Sequence, residues 1–363
     1  MNIGFIDLGS VVETAYLPAL QRLSFAEMTC WGYDSNPQRT LPGVVSCDSL
    51  ASLLAKPIDI LFITTVSLQH LPTLEAALHS GIMRIVVEKP IVASLSQIAR
   101  LRELLSLPEN AKRVLALDHW MARDGALCLA QGRMDSRWQP EGLANVTGPL
   151  VGSLDDIVGI DGFLLEPSGF NAAGEPVALN FATGEADTRE LRHPGGVIVD
   201  IGTHVLAMMR ETVRYLGGSD EIQLVAEQVK DRLGRPIARG DVVTAEGEAH
   251  LKGILGSIPV NLWLNKYAGP GVERKGICII LRDGRVISQY RVPGGESVEL
   301  IDGDTVQCWT RLGAVYMHCL AEQILGPHSL FARAPEEVAK LTQRRLVEVE
   351  TLLYIQQRLR GEH

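Results

Sequence analysis

The stretch Asn2-Ile3-Gly4-Phe5-Ile6-Asp7-Leu8-Gly9 opens the chain and decides the fold that we expect. Its apolar run is typical of a buried parallel strand, and the run ends in a glycine-containing turn. Residues 10–23 follow with apolar side chains at helical spacing, closing at Leu23. The opening is therefore predicted to be a strand, a turn and a helix.

The same alternation continues to about residue 125. Further strands are predicted at residues 26–33, 58–63, 84–90 and 113–117, and helices at 49–54, 71–79 and 94–105. Strands that alternate strictly with helices build a parallel sheet covered by helices. We predict an α/β protein whose residues 1–125 form a Rossmann-like dinucleotide-binding domain.

The pattern changes after residue 125, where glycine and proline become frequent. Strands are predicted at residues 162–165, 177–181, 222–229, 242–251, 258–264, 276–281 and 285–292, with an Asp-Gly hairpin turn at 283–284 and one main helix at 195–215. Residues 126–330 are predicted to form an α+β domain for substrate binding and oligomerisation, with a large, mostly antiparallel open sheet. Residues 331–363 are predicted to form a closing helix that packs back on the N-terminal domain.

Composition excludes several classes of protein. The 363 residues carry a formal net charge of −9 without basic runs, which argues against a nucleic-acid partner. The six cysteines show neither a C-x-x-C pair nor zinc-ligand spacing, so we expect reduced thiols and no metal site. No apolar run reaches about 18 residues, and no basic leader precedes the first strand. We expect a cytoplasmic protein without membrane contact.

The opening turn departs from the pattern of a dinucleotide loop. Such a loop is G-x-G-x-x-G/A, and this chain offers Asp7, Gly9 and Val12 at the three positions. Ser10 and Glu13 have the spacing of a capping box, which would occupy amides that a pyrophosphate needs. An α/β domain that has lost dinucleotide binding is therefore the alternative interpretation.

Two further motifs carry candidate chemistry. Glu88-Lys89-Pro90 follows a predicted parallel strand, whose carboxyl end faces the ligand cleft in open α/β sheets. Asp200 and His204 lie four residues apart after Gly195-Gly196 and share one face if the stretch is helical. A carboxylate beside a histidine suits proton transfer with a substrate hydroxyl. Taken singly, each motif is equally consistent with a surface ion pair or a buried helix start.

Together these motifs resemble, in order and spacing, the Gfo/Idh/MocA family of nicotinamide-dependent oxidoreductases. The resemblance rests on residues 9–20, on Thr64-Thr65 followed by His70, on Glu88-Lys89-Pro90, and on the stretch that ends at His204. It covers nearly the whole chain and includes the closing helix. It implies a homodimer or homotetramer formed through the outer face of the large sheet.

The resemblance also implies roles for individual residues. Lys89 matches a lysine that contacts the substrate hydroxyl and the cofactor, His204 matches the acid–base histidine, and Asp200 its neighbouring carboxylate. The implied cofactor-binding residues are Gly9, Ser10, Val11, Asp34, Thr64, Thr65, His70 and Glu88. Asp34 falls where the adenine ribose is held, and its carboxylate favours NAD over NADP. Val66 and Tyr16 replace the usual proline and the frequent histidine.

A shorter resemblance concerns residues 117–123. Leu117-Asp118-His119-Trp120-Met121-Ala122-Arg123 looks like the D-H-Y-x-x-K stretch of glucose-6-phosphate dehydrogenases, with Trp120 and Arg123 replacing Tyr and Lys. His119 and Arg123 are thus candidates for binding an anionic or sugar-like substrate. The alternative for this stretch is a buried Asp118–His119 pair that only braces the domain junction. Lys266 and the pair Arg192-His193 are further candidates for substrate contacts, with a solvated loop as their alternative.

The expected function is hydride transfer between NAD(P) and a secondary alcohol of a sugar, cyclitol or sugar phosphate. Two alternatives stay open because the glycine loop is altered at Asp7. One is a lyase, cyclase or hydrolase on the same scaffold that retains NAD or has dispensed with it. The other is a non-catalytic sensor of a sugar-like ligand.

Overall fold

A computed structural model of the chain describes residues 1–23, 27–142, 146, 148–177, 195–269 and 271–361. It divides into two compact units, each described by itself below. The first comprises residues 1–118 and 316–350, and the second comprises residues 119–315 and 351–363. The predicted strand at 177–181 lies outside the described residues after Val177, as do Arg192 and His193.

The helices fall at most of the predicted places. They are α1 (Leu17–Leu23), α2 (Leu50–Leu54), α3 (His70–His79), α4 (Leu95–Leu105), α5 (Pro108–Ala111), α6 (Gly125–Ala130), α7 (Val197–Tyr215), α8 (Val315–Cys319), α9 (Leu330–Arg333) and α10 (Pro335–Leu359). A π-helical turn over Val12–Tyr16 leads into α1. Among the described residues, no helix combines the length and the apolar character needed to cross a lipid bilayer.

The first unit is built on a six-stranded parallel sheet. Its strands are β1 (Asn2–Ile6), β2 (Thr29–Tyr33), β3 (Val44–Ser46), β4 (Ile60–Ile63), β5 (Ile85–Val87) and β6 (Val114–Ala116), in the order β3-β2-β1-β4-β5-β6. The central strands β1, β4 and β5 are almost wholly buried, because helices cover both faces of such a sheet. The predicted Rossmann-like sheet is confirmed, and the short edge strand β3 is the element that the sequence did not indicate.

The edge strand β6 is anchored by α10. The Thr342 hydroxyl on this helix donates to the carbonyl of Val114 at 2.7 Å and accepts the N–H of Ala116 at 3.0 Å. Both contacts are buried and lie within the first unit. One threonine thus satisfies backbone groups that an edge strand would otherwise leave unpaired.

The second unit contains a nine-stranded mixed sheet. Its strands are β7 (Gln139–Pro140), β8 (Ile157–Leu165), β9 (Ile222–Lys230), β10 (Glu248–Leu255), β11 (Ile258–Asn265), β12 (Arg274–Leu281), β13 (Val286–Val292), β14 (Gly295–Asp302) and β15 (Thr305–Leu312). Neighbours in the order β7-β15-β14-β13-β12-β8-β11-β10-β9 are antiparallel except for the pair β8–β11. The predicted large, mostly antiparallel sheet is confirmed.

Two details of this sheet differ from the prediction. The strand expected at residues 242–251 begins only at Glu248, because the Asp241 carboxylate accepts the N–H groups of Val243 and Thr244 in a turn. The hairpin of β14 and β15 was not predicted. Glu296 and Arg311 are buried within its strands, so its apolar alternation is interrupted.

Helix α7 packs on the sheet of the second unit and is buried along most of its length. Gly162 in β8 makes this approach possible, since a Cβ there would lie 2.3 Å from Val205 Cγ1 and 2.7 Å from Met209 Sδ. Close packing of this kind fixes the rotation of α7 about its axis. It therefore also fixes the directions in which Asp200 and His204 project.

The start of α7 is held by Glu246, whose side chain is fully buried. Its backbone carbonyl accepts the N–H of Val197 at 2.9 Å, and its carboxylate accepts the N–H of Ile198 at 3.3 Å. Gln356 and Arg360 donate to the same carboxylate. A negative group at a helix N-terminus satisfies amides that have no partner within the helix. Burial raises the pKa of Glu246, against the opposing effect of Arg360.

We predict that Gly196→Ala disturbs this arrangement. A Cβ at residue 196 would lie 2.2 Å from the Glu246 carboxyl carbon, which Gln356 and Arg360 hold in place. The free energy of unfolding, measured by chemical denaturation, should fall by about 1–3 kcal/mol, as for other overpacked sites. Gly159→Ala is the matched control, because a Cβ there meets nothing closer than 3.6 Å. Equal stability of the two variants would contradict the prediction.

Candidate active site

The turn after β1 has an unusual backbone. Asp7 adopts a φ of +75°, a left-handed conformation that glycine takes readily and aspartate takes less often. The Asp7 N–H donates to the carbonyl of Tyr33 at 2.7 Å, and the Thr64 hydroxyl donates to the Asp7 carbonyl at 2.7 Å. Strands β2 and β4 thus hold the turn from both sides. Asp7 stands at the position of the first glycine of the expected loop and has a left-handed backbone there.

Asp34 lies at the end of β2 and is tied to this turn. Its carboxylate accepts the N–H of Leu8 at 2.8 Å and the N–H of Asn36 at 2.8 Å, and it is hydrogen-bonded to the Asp7 carboxyl. Burial raises the pKa of Asp7 to about 7, and the hydrogen bond to Asp34 adds to the effect. Burial also acts to raise the pKa of Asp34, but the hydrogen bonds that it accepts outweigh burial and lower it.

The predicted capping box of Ser10 and Glu13 does not form. Among the described residues, no side chain caps the turn that begins after Val11. Glu13 instead accepts a hydrogen bond from Arg39 at 2.7 Å, and Arg39 Nε donates to the carbonyl of Leu8 at 2.8 Å. An arginine from the loop after β2 competes successfully for the glutamate because charge-assisted bonds are stronger than neutral ones.

The loop has room for a dinucleotide backbone at Gly9. A Cβ at this position would meet nothing closer than Asp7 Oδ1 at 3.8 Å, so internal packing does not require glycine there. Close approach of a pyrophosphate is the usual reason for glycine at this point of a Rossmann loop. Gly9 therefore fits the group, and Asp34 follows β2, after which this fold commonly carries an acid that holds a ribose.

Thr65 and His70 lie beyond the end of β4. The buried His70 ring is within hydrogen-bond distance of two carbonyl oxygens, with Nε2 2.8 Å from Thr65 and Nδ1 2.8 Å from Pro90. Burial lowers the pKa of His70 to about 4, so the ring is neutral at physiological pH. His70 thus joins the loops after β4 and β5.

Glu88 and Lys89 follow β5 and point to different surroundings. Glu88 is buried. Its carboxylate accepts a hydrogen bond from the Tyr16 hydroxyl at 2.5 Å and another from the Lys89 N–H at 3.0 Å. Burial raises its pKa despite these bonds. Lys89 is partly exposed, and its peptide bond to Pro90 is cis. Glu88 therefore braces the strand end, and Lys89 is the less buried of the two charged residues of this motif.

In the second unit, the predicted pair Asp200 and His204 lies on α7 as expected. The Asp200 carboxylate forms an ion pair with Lys266, whose position just after β11 was one of the predicted substrate contacts. Both side chains are nearly buried, with 13% and 8% of their surface exposed. Asp200 and Lys266, which the sequence singled out separately, are thus brought together, and the Lys266 ammonium is the counter-charge of the Asp200 carboxylate.

His204 packs against two rings of the D-H-W stretch, those of His119 and Trp120. The His119 ring meets it edge-on with 4.6 Å between ring centroids, and the Trp120 ring lies nearly parallel to it at 5.3 Å. His119 and His204 are both buried. An imidazole held by two rings has little rotational freedom, which suits a group that must transfer a proton along one direction.

Arg123 differs from the prediction of a substrate contact. Its guanidinium is buried within the second unit, ion-paired with Glu296 and lying 4.4 Å from the Trp120 ring centroid. Burial lowers the pKa of Arg123 and raises that of Glu296, while their mutual attraction opposes both shifts. The charge of Arg123 is already matched inside the protein by Glu296, which leaves His119 as the candidate contact from this stretch.

Sequence reasoning missed the carboxylates that support the site. Glu246 and Glu296 were not singled out, because a lone glutamate near a strand is usually solvated. The one usable signal for Glu246 was Gly195-Gly196, since paired glycines before a helix indicate that another group approaches closely. Glu296 offered no signal of its own.

The first unit thus has a Rossmann-like fold in which an acid and a lysine, Asp34 and Lys89, follow two of its parallel strands. Residues 1–119 match the family model GFO_IDH_MocA, described as an oxidoreductase family with an NAD-binding Rossmann fold. The resemblance predicted from the sequence is confirmed over these residues. No curated protein sequence matches the chain.

Solved structures share the fold over nearly the whole chain. UDP-N-acetylglucosamine 3-dehydrogenase GnnA from Acidithiobacillus ferrooxidans is 15% identical, with a TM-score of 0.62 and coverage of 98% of this chain and 97% of that one. The 3-ketoreductase KijD10 from Actinomadura kijaniata, in complex with NADP and TDP-benzene, is 17% identical, with a TM-score of 0.63 and 96% coverage of each chain. At such identities the likeness concerns the fold.

We predict that Asp200 and Lys266 are energetically coupled. Lys266→Met should lower the free energy of unfolding by about 3 kcal/mol, because it leaves the nearly buried Asp200 carboxylate without this counter-charge. Adding Asp200→Asn should restore much of the loss, and chemical denaturation of the four proteins of this cycle measures the coupling. Lys340→Met is the control, since Lys340 pairs with Glu337 on an exposed surface and should matter by under about 0.5 kcal/mol. Additive effects of the two substitutions would contradict coupling.

Proposed function

We propose that the protein is an oxidoreductase that transfers a hydride between NAD and a secondary alcohol of a sugar, cyclitol or sugar phosphate. The observation that carries the proposal is the arrangement at the carboxyl ends of β1, β2 and β5. The open loop at Gly9, the acid Asp34 and the partly exposed Lys89 all stand at this edge of a sheet whose sequence matches an NAD-binding oxidoreductase family. Ligands of open α/β sheets bind outside this edge.

The proposed roles follow from the chemistry of each side chain. When bound, the nicotinamide supplies an acceptor for hydride from the substrate carbon. His204 takes the hydroxyl proton, and its packing against His119 and Trp120 keeps the imidazole in one orientation. Lys89 stabilises negative charge on the substrate oxygen through its ammonium group.

Asp200 and Lys266 have a supporting role in this proposal. Their ion pair gives the face of α7 that bears His204 a fixed arrangement of charges. A histidine near a carboxylate is a better base, whereas a nearby ammonium tempers that effect. Lys266 stays a proposed hydrogen-bond donor to a polar substrate.

The sugar-like substrate class has independent support. GnnA is named as a dehydrogenase of UDP-N-acetylglucosamine, and KijD10 is named as a 3-ketoreductase. Both share this fold over almost their full length. We therefore include nucleotide-linked sugars beside polyols and sugar phosphates in the set of compounds to be tested.

NAD is the proposed cofactor, although KijD10 is described with NADP. Asp34 presents a carboxylate with a lowered pKa where the adenine ribose is held in this fold, and a 2′-phosphate there would face its negative charge. Asp7 adds a second carboxyl group to the same turn. Calorimetry should therefore show tighter binding of NAD than of NADP.

We predict that His204→Ala abolishes turnover without affecting nucleotide binding. The rate of NAD reduction, followed by absorbance with an active substrate from the set, should fall by at least about 100-fold, the usual contribution of a general base. NAD affinity should be unchanged, since the loop at Gly9 and Asp34 lies in the other unit. His250→Ala is the matched control, because His250 stacks on Trp263 elsewhere in the second unit.

The remaining outcomes decide between the alternatives. Failure to bind NAD at millimolar concentration would overturn the proposal in favour of a scaffold that has dispensed with the cofactor. Nucleotide that is retained in native mass spectra but never reduced would favour a lyase, cyclase or hydrolase. The same spectra count the subunits, for which we propose a homodimer or homotetramer. A protein that binds a ligand but shows no turnover, and in which Lys89→Ala lowers the affinity at most, would be a sensor.

A further inference from the structure

The turn between β1 and the first helix brings two carboxyl groups, those of Asp7 and Asp34, into one cluster. The Asp34 carboxylate accepts the N–H of Leu8, the residue that follows Asp7, at 2.8 Å, and Asp7 itself has a left-handed backbone. Two neighbouring carboxylates that are both ionised repel each other, whereas one proton on the pair removes the repulsion and allows a hydrogen bond between them.

The acceptor positions of Asp34 show where that proton lies. Its two oxygens already accept the N–H groups of Leu8 and Asn36 at 2.8 Å each. These bonds stabilise the ionised form of Asp34, which makes Asp7 the protonated member. The pKa of Asp7 is raised to about 7 by burial first and then by Asp34, whereas that of Asp34 is lowered.

The charges around Asp7 come from three elements. Asp34 follows β2, Arg39 lies in the loop after it, and Glu13 lies on the π-helical turn. Arg39 attracts the Asp7 carboxylate, but its guanidinium also donates to Glu13 at 2.7 Å and to the Leu8 carbonyl at 2.8 Å. With Asp7 neutral these groups sum to one negative charge, and ionisation of Asp7 makes two.

We propose that a nicotinamide dinucleotide binds at this loop with uptake of one proton by Asp7. The inference rests on the proposed function, which places the pyrophosphate beside Gly9, where the nearest side-chain atom to an added Cβ is Asp7 Oδ1. An ionised Asp7 there would repel the negatively charged phosphates, whereas the neutral carboxyl does not. Asp7 thus replaces the first glycine of the loop at the cost of making affinity depend on pH.

The sign of the effect follows from proton linkage. Because the bound state holds more protons than the free state above neutral pH, affinity is full below about pH 7 and falls as the pH rises. The limiting slope is about tenfold in affinity per pH unit for one proton. Asp7→Asn carries an amide that donates to Asp34 at every pH and tolerates the left-handed backbone. Its affinity should equal the low-pH affinity of the unmodified protein throughout.

The test is calorimetry of the full-length protein with NAD, in two buffers of different protonation enthalpy at about pH 8. The unmodified protein should take up close to one proton for each NAD bound, and Asp7→Asn should take up none. Asp34→Asn should weaken binding and reduce the uptake at this pH, since the pKa of Asp7 falls without Asp34, while burial, the larger cause, still holds it above the ordinary carboxyl range. Binding without uptake, or uptake that survives Asp7→Asn, would overturn the inference while leaving the proposed function intact.

A second measurement separates the two failures. Carbon-13 NMR of the Asp7 carboxyl in the ligand-free protein should show titration near neutral pH, and the midpoint should move to lower pH in Asp34→Asn without reaching the ordinary range, because burial still raises the pKa. If Asp7 titrates near neutral pH but the protein binds no NAD at any pH, the proposed function is overturned, and with it the proposed coupling between NAD binding and proton uptake. Titration of Asp7 in the ordinary range in the unmodified protein would overturn the inference alone.

Discussion

A carboxylate removed from water must find hydrogen-bond donors, and this requirement fixes much of the polar structure of the protein. Glu246 shows it most clearly, because its fully buried side chain takes donors from the start of α7 and from Gln356 and Arg360. Since α7 carries His204, the direction of the candidate base depends on this one buried charge. The close approach of Glu246 in turn explains the glycine at position 196.

The same requirement divides the motifs of the first unit into supporting and ligand-facing members. Glu88 accepts the Tyr16 hydroxyl inside the protein, and the buried His70 ring lies within hydrogen-bond distance of the carbonyls of the neighbouring loops, to one of which its single N–H can donate. Lys89 and Asp34 keep part of their surface exposed at the carboxyl ends of the strands. The residues that the family resemblance assigns to the cofactor thus differ in burial, and some of them hold the loops together.

Much of the fold could be predicted because it depends on local pattern. The apolar runs of β1, β4 and β5 and the alternation with helices indicated the parallel sheet, and Asp283-Gly284 indicated the hairpin of β12 and β13. The hairpin of β14 and β15 escaped prediction because its strands bury charged residues. The capping box failed for a related reason, since Arg39, 26 residues along the chain, competes for Glu13.

The sequence by itself determined the class of the fold and the positions of Lys89, Asp200 and His204 on their elements, because periodicity and strand order depend on neighbouring residues. Only the tertiary structure decided which charges meet. Arg123 and Glu296 are 173 residues apart and pair in the interior, Asp200 finds Lys266, and Asp7 finds Asp34. These partners are distant in sequence, and a charge chooses its partner by proximity and burial, which exist only once the chain has folded.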